Sequence, residues 1–318
     1  MRFILMSLLL LFSSLSQAHV RWFVGNRHEL EPYAWTAPDF ILVGLAVVAC
    51  IVAVFLSRIR ISQIENNAFF KPWPFEMQFR LLGIVLGVWL LLNFYHGEFI
   101  APNLEPNSAW QFSLMLQAIC GILLLISHRL ASLTLCLFVL IGQLMISVEF
   151  ELWIDYVPEL LGFALALMLA SKPDRAVKYL RILLGIQLII LAVHNKLLNP
   201  TMGLAFLEMH PWNFLSMMGF TVFTDSNFII GIGVAEFTLG ILLIFGICTR
   251  IVAAAVVGVF GLTGSLLGIE ELIGHVPIVI SFFVVFSLGT GERTFPELNP
   301  SSWKLSRVGF KAKEVEAK

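Results

Sequence analysis

The feature that most constrains this chain is a series of apolar runs, each long enough to cross the roughly 30 Å hydrocarbon core of a bilayer as a helix. They fall at about 39–57, 80–97, 110–127, 130–148, 157–171, 180–197, 228–247, 251–268 and 275–290. In hydrocarbon every backbone N–H and C=O must be satisfied without water, and a helix does this within one segment. Composition agrees. With 58% hydrophobic and 13% charged residues and a mean hydropathy of +0.89, the chain has too little polar surface to coat a soluble globule of 318 residues. The expectation is an all-α polytopic membrane protein with nine transmembrane helices.

The N-terminus reads "MRFILMSLLLLFSSLSQAHV", with Arg2 ahead of an apolar core and with Ser16 and Ala18 at the small-residue positions of a cleavage site. This predicts a signal peptide, 1–18, removed after Ala18, and a periplasmic segment, 19–38; an uncleaved anchor would deliver residue 19 to the same side. Lys and Arg are retained on the cytoplasmic side of a membrane. On this layout the inner segments hold Arg58, Arg60, Lys71, Arg80, Arg129, Lys172, Arg175, Lys178, Arg181, Arg250 and the six basic residues of the tail, 292–318. The outer segments hold only Arg21, Arg27 and Lys196. That asymmetry predicts a bacterial-type inner-membrane protein with a periplasmic N-terminus and a cytoplasmic tail, whose outer interface is marked by Trp110, Trp153 and Trp212. Its first partner is the lipid bilayer, and nothing in its charge pattern suits nucleic acid. Cys50, Cys120, Cys136 and Cys248 lie within or at the inner ends of spans, which excludes a periplasmic disulfide framework.

An internal repeat organises the spans. "FELWIDYVPELLGF" (150–163) matches "IEELIGHVPIVISF" (269–282) at an offset of 119, placing Tyr156 on His275 and Val157-Pro158 on Val276-Pro277. At the same offset "QAICGILLLI" (117–126) matches "EFTLGILLIF" (236–245), so Gln117 corresponds to Glu236. "RLLGIVLG" at Arg80 resembles "RILLGIQL" at Arg181 with an offset of 102 on Leu-Leu-Gly-Ile. The reading is two parallel four-helix units, 80–171 and 172–291, after a first helix and loop at 39–79.

Glu236 stands inside an apolar run, about 12 Å along the helix from Phe228 at 1.5 Å per residue. A carboxylate there costs several kcal/mol unless it is paired or protonated. The partners available at similar depth are His194, Lys196 and His275. Together these four form the candidate catalytic cluster, either as structural glue between helices or as a proton-coupled site.

These residues carry a family resemblance. "EFTLGILLIFGICTR" resembles the E-x-x-x-G-x-L-L-x-x-G-x-x-T-R signature of DoxX-like membrane proteins, and "NKLLNP" (195–200) is similar to their K-L-x-x-P element. The resemblance covers about 178–291. The copy at 80–171 is degenerate, with Phe94 or a neighbour where the Lys would be, Gln117 for the Glu and His128-Arg129 for Thr249-Arg250. Val193 stands where the family more often has glycine. The resemblance implies a four-helix bundle and links to quinone-coupled sulfur or thiol oxidation with a periplasmic or membrane redox partner.

Two outer features suggest metal. If cleavage follows Ala18, the new N-terminal amine and the imidazole of His19 make a chelate suited to copper. Met209 and His210, with Met202, Met217 and Met218 on the same long loop, offer soft ligands for a cuprous ion; the same spacing also suits an amphipathic helix lying in the interface, kinked or begun at Pro211. There is no P-loop, no G-x-S-x-G and no H-E-x-x-H. A quinone-linked redox subunit, a small-solute or metal carrier built on the repeats, and a non-catalytic membrane scaffold therefore all stay open.

Overall fold

The structure is a computed structural model that describes residues 32–57, 73–101, 104, 110–127, 131–267 and 269–291. The signal peptide, His19, the basic loop carrying Arg58, Arg60 and Lys71, and the tail 292–318 lie outside these residues. Among the described residues the fold is all helical. The helices are α1 (Ala37–Ser57), α2 (Phe75–His96), α3 (Trp110–Ile126), α4 (Ala131–Ser147), α5 (Phe150–Trp153), α6 (Val157–Met168), α7 (Pro173–Ala192), α8 (Pro200–Met209), α9 (Phe214–Met217), α10 (Asp225–Phe245), α11 (Thr249–Leu267) and α12 (Ile269–Leu288). A π-helical turn, Val193–Leu197, continues α7. Within this set, α2, α7 with its π turn and α10 are long and apolar enough to cross a membrane; α1, α3, α4, α6, α11 and α12 contribute shorter apolar stretches.

Local chemistry sets the ends. Gly97 and Gly246 sit at φ 75° and 71°, the left-handed region that suits glycine, and stop α2 and α10. Beyond them the Glu98 N–H donates to the Asn93 carbonyl and Ile247 to Leu242, which satisfies carbonyls the helix ends would strand. Proline opens α6, α7 and α8, where its missing N–H costs nothing. At the start of α1 the Asp39 carboxylate accepts from the Thr36 N–H at 2.8 Å and from its hydroxyl at 2.7 Å, a cap for the first turn. The Tyr33 hydroxyl also donates to Asp39, at 2.9 Å, and hydrogen-bonds Ser226 on α10. Burial is the first cause that holds Tyr33 above its usual pKa, which keeps it a donor there.

α7 is the hub. It packs between α6 and α10 and also touches α12, while α1 lies on α10 and α12 on both α11 and α2. Glycines let two helix pairs meet at the backbone. A Cβ on Gly185 would come within 2.7 Å of the Gly240 carbonyl oxygen, and one on Gly87 within 2.8 Å of that of Gly121. An arginine straps each pair. Arg80 donates to the carbonyls of Leu124 (3.0 Å) and Leu125 (2.5 Å); Arg181, fully buried, donates to those of Leu243 and Ile244 and to Thr290 at 3.1 Å.

Several boundaries differ from the sequence expectation. The run 180–197 is helical from Pro173, and 80–97 from Phe75. Residues 269–275, expected as a loop, are already α12, which carries Pro277 inside it. Packed helices tolerate such a proline because neighbours take up what it frees. The long loop holds two short helices, and the first ends at Met209, before Pro211.

Candidate functional site

Glu236 lies on the α10 face that meets the end of α7. Its Oε2 accepts a 2.7 Å hydrogen bond from Lys196 Nζ, and the two side chains are 2% and 0% exposed. The backbone makes this approach feasible. Gly233, one turn before Glu236, has the Lys196 Cβ at 3.1 Å and the Leu197 side chain at 2.9 Å from where its own Cβ would stand. Oε1 of Glu236 is buried and makes no hydrogen bond to any described residue. A buried carboxylate held through one oxygen by a charge-assisted bond, with no described residue engaging the other, has an oxygen on which a proton can sit.

The π turn delivers a second pair to the other side of α7. His194 Nδ1 lies 3.1 Å from Asp155 Oδ1, on the connection between α5 and α6, and Asn195 Nδ2 donates to Asp155 Oδ2 at 3.3 Å. Gln187 donates to the Asp155 backbone carbonyl. The Asp155 side chain is 4% exposed and the His194 side chain 20%, so the imidazole is the wet end of the set. One turn beyond Asp155 stands Glu159, also buried, with an Oε2 that has no hydrogen-bond partner among the described residues.

Of the four expected residues, then, Lys196 and Glu236 meet. His194 joins Asp155 instead. His275 is buried, but its ring stacks on Phe260 of α11, with centroids 4.5 Å apart. The apolar run is expected to begin at His275, whereas α12 begins six residues before it and carries His275 into its second turn. Sequence reasoning misses Asp155, Glu159, Gln187 and Asn195. Their signal is two carboxylates four residues apart in a run that is otherwise apolar, and an Asn flanked by His and Lys at the end of a span.

At the place matching Glu236, Gln117 forms a closed lock. Its amide donates to the carbonyls of Leu90 (3.0 Å) and Glu98 (3.1 Å) and accepts from the Ile100 N–H at 2.9 Å. Every polar atom of Gln117 is used, unlike those of Glu236. Cys120 and Cys136, on consecutive helices, are free thiols in hydrogen-bonding contact.

The candidate metal ligands of the 198–227 loop are dispersed. Met202 is fully buried, whereas Met209, Met217 and Met218 are exposed, and His210 packs on Phe206 with ring centroids 5.1 Å apart. Among the described residues no three His, Cys, Asp or Glu side chains converge on a metal position. A cavity of about 150 Å³ in this loop is bounded by Trp212, Met217 and Asp225, not by Met209 and His210. No protein-family model, curated protein or solved structure matches the chain.

Proposed function

We propose that the chain is an integral inner-membrane protein of DoxX-like type in which Glu236 accepts and releases a proton during a quinone-linked redox reaction with a periplasmic or membrane partner. The observation that carries this is the Lys196–Glu236 pair: an ammonium fixes the carboxylate and leaves one oxygen bare. Reducing a quinone takes up two protons along with two electrons. The sulfur donor, oxidised at the partner, supplies the electrons; the Glu236 carboxylate takes a proton and passes it to the reduced quinone, and the neighbouring ammonium offsets the carboxylate charge when that proton leaves.

We read the three long apolar helices, together with the six shorter apolar stretches, as the nine expected spans, with a periplasmic N-terminus and a cytoplasmic tail. We also infer two copies of one four-helix unit. The carbonyls that take Arg181 lie 119 residues after those that take Arg80, and Gly240 lies 119 after Gly121. The last helix of each unit packs on the first helix of the other, α6 on α7 and α12 on α2.

The test is electron transfer between a soluble quinone or quinol and purified protein in detergent, with and without a sulfur donor. Wild type should turn over, and Glu236→Gln should fold yet lose turnover. A wild type that is inert with every donor, and that instead co-purifies with a soluble periplasmic protein, would make the chain a scaffold.

A further inference from the structure

We propose that Asp155 is a positioning residue for the Lys196–Glu236 pair, acting through the π turn that carries Lys196. This rests on the reading of that pair as the working site, but its test does not need quinone turnover.

The argument starts from backbone hydrogen bonds. In the turn Val193–Leu197 the Leu198 N–H donates to the Val193 carbonyl at 2.8 Å, five residues back, in place of the His194 carbonyl that an α-helix would use. The His194 carbonyl is thereby released, and the Asn199 side-chain amide takes it at 2.7 Å. A π turn is a local excess of one residue in the helix. Relaxation to α geometry would re-phase the end of the helix by about one residue, roughly 100° at 3.6 residues per turn. Lys196 lies within the turn, so it would swing off Glu236.

The wide turn therefore needs an anchor outside α7. Asp155 is that anchor. Its two carboxylate oxygens take the side chains of His194 and Asn195, successive residues at the start of the turn, and its backbone carbonyl takes Gln187 from the preceding α7 turns. Three contacts thus tie the irregular stretch, and the helix leading into it, to one residue on a neighbouring element. Through these contacts Asp155 acts on the pair by way of the turn.

The experiment reads Glu236 itself. Infrared difference spectra between each variant and its Glu236→Gln counterpart, on full-length protein in detergent, isolate the Glu236 carboxyl band. In wild type and in Asp155→Asn, which keeps an oxygen acceptor and an amide for His194 and Asn195, the band should be that of an ionised carboxylate. In Asp155→Ala it should move to the protonated carboxyl, because the ammonium has left. If Asp155→Ala does not fold, the His194→Leu, Asn195→Ala double variant removes the same contacts and should show the same move. An unchanged carboxylate band in the folded variant overturns the proposal. Loss of quinone turnover plays no part in this outcome, so an inert wild type would overturn the function proposed above and leave the role of Asp155 to be decided by the spectra.

Discussion

Lys196 and Glu236 are each other's solvent. Both were removed from water, so the cost of changing one depends on what remains of the other. Glu236→Leu takes the carboxylate away from a buried ammonium and should lower stability by about 3–5 kcal/mol, read as the unfolding midpoint in detergent. Glu236→Gln should cost much less, because an amide still accepts from Lys196 and Gln117 already serves as an amide at the matching place. If the two variants prove equally unstable, the pair is not the interaction that matters there. That Glu236 needs a buried partner was legible from depth in the sequence, with Lys196 one of three candidates, since a carboxylate in an apolar run has few other ways to be tolerated. The Asp155–His194 contact was not. It depends on a turn whose hydrogen bonds run five residues back, and neither hydrophobic period nor span length reports that.

At the scale of elements, the fold is held by helices that touch at their backbones and by side chains that finish each other's ends. Gly185→Ala would put a Cβ 2.7 Å from the Gly240 carbonyl oxygen, where only a shift of the helices relieves the overlap. It should destabilise by about 1–3 kcal/mol. Gly142 on α4 has nothing within 4 Å of the same atom, so Gly142→Ala should be neutral or stabilising by up to about 1 kcal/mol. Comparing the two melting midpoints checks the packing. Arg181 differs from Arg80 in the same spirit: it is fully buried and ties the ends of both α10 and α12, whereas Arg80 is partly exposed and ties α3 alone. Arg181→Met should therefore lower the midpoint more than Arg80→Met. Helix existence was legible throughout, because apolar runs of this length have one use. Helix ends were less so, since α7 and α2 extend through polar residues at their starts, and α12 runs through a proline that a surface helix would not accommodate.

The arrangement of the whole molecule makes a topological claim that labelling can check. In a background lacking the native cysteines, a cysteine at Met217, which is 75% exposed, should react with an impermeant reagent added from the periplasmic side, and a reporter fused to the tail should be active only in the cytoplasm. Labelling of the tail from outside would invert every span. The contact between α1 and α10 adds a consequence in time. α1 is made first, but the helix it lies on begins about 170 residues later in the chain. At about 5–20 residues per second of synthesis, α1 waits roughly 10–30 s in the bilayer before its partner exists. Its run Phe40–Val52 is apolar on nearly every side, as a helix must be if it is to stand alone among lipids for that long. The Tyr33–Asp39–Ser226 link cannot form until α10 arrives, so closing it belongs to the later half of assembly, when the newest helix receives the oldest.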